Sequence, residues 1–187
     1  MEPVAPRLQR PKIYLMGMMG CGKSTVGRAL AQTLNLDFVD LDCLIEDHAH
    51  KSLQEIFTQE GERHFRRLES ACLKTIAHLK GEKIVALGGG TVLREENRRL
   101  VRASGFSIYL KVAPELLAAR LQTCCDRPLL KGLDAPASLV KLHELLRARE
   151  PFYAQADLTI SNEGRVQDVL AVLTKALARL WKSSTSS

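Results

Sequence analysis

No run of apolar residues in this sequence approaches the eighteen or so that a helix needs to cross a bilayer. At 45% hydrophobic and 26% charged, the chain also lacks the composition of a disordered one. Its five cysteines, at positions 21, 43, 72, 124 and 125, are an odd number without metal-ligand spacing. They argue against a disulfide framework and suit a reducing compartment. Aromatic residues are scarce: one Trp, three Tyr and five Phe, not interleaved with arginine as they would be in a single-strand nucleic-acid binder. There is no internal repeat and, apart from a terminal SSTSS, no low-complexity stretch. The opening MEPVAPRLQRP has no apolar core of the secretory kind, so residues 1–11 are expected to be a short flexible extension and the cytoplasm the working compartment.

What is present fits one domain of ordinary size, or a domain with inserted lobes, in 187 residues. The net charge of +6 is uneven: residues 94–149 hold eleven Lys or Arg against six Asp or Glu. Such a stretch could face nucleic acid or surround a small, densely anionic ligand. Short apolar runs alternate with helix-length amphipathic segments, the βαβ rhythm of a parallel sheet. Strands are expected at Ile13–Met16, around Phe38–Val39, and at Ile84–Leu87, Phe106–Leu110 and Leu158–Ile160. Val26, Leu30 and Leu34 mark a helix over Lys23–Leu34, and Phe65, Leu68, Cys72, Ile76 and Leu79 one face of a longer one. Ser52 with Glu55 predicts a capping box, Pro114 the first turn of a later helix, and Val166–Trp181 the last helix.

The sharpest local signal is GMMGCGKS over residues 17–24, which satisfies G-x-x-x-x-G-K-[ST] between an apolar strand and an amphipathic helix. Glycines at 17, 20 and 22 let successive N–H groups point inward, and the helix that follows adds the positive end of its dipole. In such a cradle Lys23 reaches the β- and γ-phosphates of a nucleotide, and the Ser24 hydroxyl can ligate a magnesium ion bridging them. Left without that context, the same letters would be a glycine-rich turn with a solvated lysine. Strand three runs into Leu87-Gly88-Gly89-Gly90 with no acid for the metal. The acids are instead expected from Asp40-Leu41-Asp42, where strand alternation would put both carboxylates on one side of the sheet's carboxyl edge. Asp capping the next helix is the competing role.

These motifs, with FRRLE at 65–69, GGG at 88–90, RPLL at 127–130 and REPFY at 149–153, stand in the order and spacing of the shikimate kinase family, which the chain resembles from about Lys12 to Trp181. The resemblance implies an α/β, P-loop NTPase-like three-layer domain with a five-stranded parallel sheet in the order 2-3-1-4-5. It is of the nucleoside-monophosphate-kinase type: one domain over 12–181, a substrate lobe near 41–70, a lid near 123–136, and a flexible tail at 182–187. It also implies ATP-dependent phosphorylation of the shikimate 3-hydroxyl, on the way to chorismate and the aromatic amino acids, by a monomer that binds neither membrane nor nucleic acid. Gly20, Cys21, Gly22, Lys23, Ser24 and Thr25 would hold ATP, and Ser24 and Asp40 its Mg²⁺. Lys23, Asp42 and Arg127 would be catalytic, Asp42 by orienting the hydroxyl and Arg127 by closing with the lid. Arg66, Gly88, Gly89, Gly90 and Arg149 would join Asp42 in holding the acid, while Arg120 and Arg165 would lie against the nucleotide.

Each role has its chemistry. A planar guanidinium grips a carboxylate through two hydrogen bonds, and Glu69, three residues on, can hold Arg66 in place. Glycines without Cβ let a polyol ring lie on the backbone. Three alternatives remain open: a related kinase such as one for gluconate, a nucleoside monophosphate kinase, and a non-catalytic nucleotide-binding module of the same fold.

Overall fold

The computed structural model describes residues 12–122 and 135–183. Five strands, β1 (Lys12–Met16), β2 (Asp37–Asp40), β3 (Lys83–Ala86), β4 (Gly105–Lys111) and β5 (Leu158–Ser161), form one sheet in the order β2-β3-β1-β4-β5. Every pairing is parallel, with Ile13 opposite Ile84 on one side and Phe106 on the other. All five residues of β1 are buried, as the central strand of a parallel sheet covered on both faces must be. Ile13, Leu15, Ile84, Val85, Ile108 and Leu110 form its apolar middle.

Eight helices connect or flank these strands among the described residues: α1 (Lys23–Leu34), α2 (Leu41–Ala49), α3 (Leu53–Gln59), α4 (Gly61–His78), α5 (Glu95–Ser104), α6 (Pro114–Gln122), α7 (Ala135–Tyr153) and α8 (Val166–Ser183). Their stripes follow helical spacing: Val26 and Leu30 on α1, Phe65, Cys72 and Ile76 on α4, and Val169, Leu173 and Leu177 on α8 are all buried. Ser52 and Glu55 form the expected capping box at the start of α3. None of the helices among the described residues is long and apolar enough to cross a membrane.

Two expectations needed correction. The α4 stripe does not include Leu79, which follows the helix and is 45% exposed, while its buried face takes in the charged Glu69. Strand β1 begins one residue early, at a fully buried lysine. Lys12 is tolerated there because its Nζ turns onto the end of α4 and donates to Leu79 O (2.5 Å) and Gly81 O (2.9 Å).

Because all strands run the same way, their carboxyl ends lie on one edge, and the segments leaving β1, β2, β3 and β5 meet there. The predicted 1–11 extension, most of the 182–187 tail, the lid near 123–136 up to residue 134, and with it Arg127, lie outside the described residues.

Candidate active site

At that edge opens a cavity of about 450 Å³. The loop between β1 and α1 forms its floor. Gly17, Gly20 and Gly22 take φ values of 144°, 76° and 87°, which L side chains rarely adopt, so the glycines of the motif are required by the path of the chain. Gly22 offers no side-chain cap to α1, and the first turn holds no acid. The opening N–H groups of α1 therefore face an anion without competition from the protein's own carboxylates. Lys23 spans the loop, its Nζ 3.0 Å from both Gly17 O and Met18 O. Gly20, Gly22, Lys23, Ser24 and Thr25 all line the cavity. Cys21 does not. It is fully buried, its N–H donates to Met18 O within the loop (3.2 Å), and its sulfur lies 3.8 Å from Lys23 Nζ.

The two acids reach the cavity by a different route from strand alternation. β2 stops at Asp40, and Asp42 sits in the first turn of α2. Asp40 takes the capping role, Oδ1 accepting from the Asp42 N–H (3.1 Å), while Oδ2 accepts from Ser24 Oγ (2.5 Å). With its proton committed to Asp40, the Ser24 hydroxyl keeps lone pairs for a hard cation. This oxygen pair next to a phosphate cradle fits Mg²⁺, which takes one or two protein oxygens and fills its shell with phosphate and water.

Beside the loop, Gly88, Gly89 and Gly90 follow β3; Gly89 lines the cavity, whereas Gly88, Gly90, Arg66 and Arg149 do not. A Cβ on Gly88 would lie 2.9 Å from Asp42 Oδ1 and from Glu69 Oε1; one on Gly89, 3.6 Å from Arg149 Nη1; one on Gly90, 2.7 Å from both terminal nitrogens of Arg66. Two guanidinium groups and two carboxylates thus border a three-residue ribbon of bare backbone. Arg66 is held from both sides, by Glu69 (Nη1 to Oε2, 3.0 Å) and Glu62 (Nη2 to Oε1, 3.1 Å). Burial works against its charge, but Glu69 and then Glu62 more than offset this and keep its pKa above the ordinary value. Glu69 is itself fully buried, and its other oxygen accepts from Thr91 Oγ1 (2.7 Å). Arg149 is nearly buried, its Nη1 3.9 Å from Met18 Sδ and 3.5 Å from Gly89 O.

Arg120, on α6, lines the cavity and donates to Asn162 O (2.8 Å). Arg165 does not line it: its side chain is 82% exposed and pairs with Asp168 in the first turn of α8. The residues on either side of it, Gly164 and Val166, do line the cavity.

Three contributors were given no role from the sequence. Asn162, buried just past β5, donates from Nδ2 to Cys21 O (2.6 Å) and would meet any Cβ placed on Gly22 at 2.7 Å. Its place at the carboxyl end of a parallel strand is the signal that could have found it. Thr91 and Tyr153 support the glycine ribbon; Tyr153 closes the REPFY motif, which could have drawn attention to it. Tyr153, fully buried, donates to Gly89 O at 2.5 Å.

The sheet order, with an anion loop leaving its central strand, places the chain among P-loop kinase folds of the nucleoside-monophosphate-kinase type, and the relatives narrow this further. A family model for shikimate kinase matches residues 19–180. Shikimate kinase of Chlorobium limicola is 42% identical over 180 residues, 92% of this chain and 89% of that one. Shikimate kinase of Geobacter sulfurreducens is 42% identical over 159 residues, 84% and 86% of the two chains. Among solved structures, shikimate kinase from Acinetobacter baumannii in complex with shikimate superposes with a TM-score of 0.85 at 34% identity, over 91% of this chain and 94% of that one. A gluconokinase from Sinorhizobium meliloti, with a TM-score of 0.61 at 20% identity over 95% and 98% of the two chains, shares the fold alone. The chain belongs to the shikimate kinase family.

Proposed function

We propose that the protein transfers the γ-phosphoryl group of ATP to the 3-hydroxyl of shikimate, as a monomer in the cytoplasm, on the route to chorismate. One observation supports this above the rest: Arg66, Arg149 and Asp42 converge on the Gly88–Gly90 ribbon, beside the phosphate loop. Two guanidinium groups suit a carboxylate, the carboxylate of Asp42 suits a hydroxyl, and bare backbone suits the ring between them.

In this assignment the N–H groups opening α1 bind the β-phosphate. Lys23 exchanges its two loop carbonyls for phosphate oxygens and offsets the charge of the transferring group. Ser24 and Asp40 hold Mg²⁺, which, when bound, neutralises charge on the phosphates. Asp42 orients the attacking hydroxyl and can take its proton. Arg66 and Arg149 fix the acid so that this hydroxyl, and not another, faces the phosphate. Arg120 borders the nucleotide side of the cavity, and Arg127 on the 123–136 lid is assigned to the phosphates at closure. Residues 12–181 act as one domain, with 41–70 as the acceptor lobe. Cys21, Cys43 and Cys72 are free thiols, which suits a reducing cytoplasm.

The test is ADP release measured with shikimate, quinate, gluconate and AMP as acceptors. Turnover with shikimate far above the other three is expected. Preference for gluconate or AMP would reassign the acceptor, and no acceptor-stimulated turnover at all would mark a non-catalytic nucleotide binder.

A further inference from the structure

Four residues after Arg149, on the same face of α7, lies Tyr153. Its ring is fully buried against Tyr109, the ring centroids 5.2 Å apart and the planes 29° from parallel. Its hydroxyl donates to Gly89 O at 2.5 Å, the same carbonyl that Arg149 Nη1 approaches at only 3.5 Å. Two donors on one helix therefore address one acceptor, and the phenol holds the short bond. The carbonyl has two lone pairs and is shared, the phenol by a short bond and the guanidinium by a long one; without the phenol the guanidinium, with five N–H groups and no acceptor of its own, would close from 3.5 Å onto the backbone.

We propose, resting on the shikimate reading of the same site, that Tyr153 is a positioning residue for acceptor selection. By claiming the Gly89 carbonyl it leaves Arg149 Nη1 to the acceptor's carboxylate. Burial raises the phenol's pKa to about 12, against the opposing charge of Arg149 beside it, and the group remains a donor throughout any working pH range.

The variant Tyr153→Phe keeps the ring and its stack on Tyr109 and removes the hydroxyl, both as donor to Gly89 O and as hydrogen-bond partner of Arg149. Carbonyl and guanidinium are then free to pair. Assays with shikimate and with its methyl ester, which lacks the negative charge, separate this effect from general damage. The KM for shikimate is expected to rise about three- to tenfold, the loss associated with one hydrogen bond. The KM for the ester and for ATP should stay put, so the preference for acid over ester shrinks by the same factor. In an Arg149→Ala background, Tyr153→Phe should change the shikimate KM no further. An unchanged shikimate KM in folded Tyr153→Phe overturns the proposal. So does a fall in melting temperature with all three constants moving alike, which is what a merely structural tyrosine would produce.

A crystal structure of the wild-type protein with shikimate supplies a measurement independent of the variant's folding. Tyr153 Oη should stay on Gly89 O while Arg149 Nη1 moves to the carboxylate; the reverse arrangement refutes the proposal. If the wild type phosphorylates no shikimate, the acceptor assignment fails and this inference falls with it. A wild type active on shikimate with an indifferent Tyr153→Phe sinks the inference alone.

Discussion

Gly90→Ala adds one methyl group, and the structure specifies what that methyl meets. Gly90 has φ −106° and ψ −6°, which alanine adopts without strain, so the backbone need not respond. The new Cβ would sit 2.7 Å from Arg66 Nη1 and Nη2 and 2.9 Å from Cζ. Ordinary contact requires separations of about 3.5 Å, so the guanidinium must withdraw by roughly 0.8 Å or more. It withdraws against its bonds to Glu69 and Glu62, at 3.0 and 3.1 Å, which define its present position. A carboxylate bound by Arg66 then loses a charge-assisted hydrogen bond worth about 1.5–3 kcal/mol, or roughly ten- to a hundredfold in affinity. Coupled ADP-release assays at saturating ATP should show this rise in the shikimate KM, with the ATP KM unchanged and the melting temperature close to that of the wild type. Because the methyl and the arginine act on one interaction, Gly90→Ala in an Arg66→Ala background should cost nothing more. An additive double variant, or Gly90→Ala with an ordinary shikimate KM beside a crippled Arg66→Ala, would show that the guanidinium does not grip the acid from where the structure places it.

Lys23→Met removes the charge that serves the transferring phosphate, and turnover should fall by about a hundredfold or more while the melting temperature holds; near-normal turnover in a folded variant would end the phosphate-cradle assignment. Asn162→Ala strips Cys21 O of its donor inside the loop, so urea unfolding should register a loss of about 1–3 kcal/mol and the ATP KM should rise, with the shikimate KM unmoved. Alkaline stability tests the burial of Tyr153, whose phenol is raised from 10.0 to about 12 in the folded chain. The unfolded chain gives up this proton first, so the stabilisation is complete below about pH 10 and is lost between about pH 10 and 12, some 2–3 kcal/mol in all. Unfolding free energies from pH 9 to 11 should therefore fall more steeply for the wild type than for Tyr153→Phe, and equal slopes would contradict the shift.

The phosphate loop was legible because everything that makes it is local: eight consecutive residues, a strand before and a helix after. The Arg66–Glu69 pair was legible for the same reason, since three residues on a helix bring side chains together. Asp42 was correctly associated with the edge of the sheet but by the wrong path, because Asp40 stops the strand by capping the helix that carries Asp42. That competition between side chain and ladder is decided by one hydrogen bond, which alternation does not register. The contacts of Thr91 with Glu69, Asn162 with Cys21 and Tyr153 with Gly89 span 22, 141 and 64 residues, and no local pattern encodes them. Arg165 was named from the family resemblance alone; its neighbours face the cavity, while its own side chain turns to Asp168.

The two halves of the proposed site rest on different parts of the chain. The half assigned to the nucleotide is assembled from the loop before α1, from Arg120 on α6 and from Asn162 after β5, tied to one another by Arg120 to Asn162 O and Asn162 to Cys21 O. The half assigned to the acceptor draws on α4, the glycine ribbon after β3, and α7. The bonds from Arg120 to Asn162 and from Asn162 to Cys21 do not pass through the second set, which touches the loop through Arg149 Nη1 and Met18 Sδ at 3.9 Å. For a lineage of such enzymes this partition is a route to new substrates: an ancestor could change the molecule it phosphorylates by mutations on two helices and one loop, without passing through a form that had lost its grip on the phosphate donor.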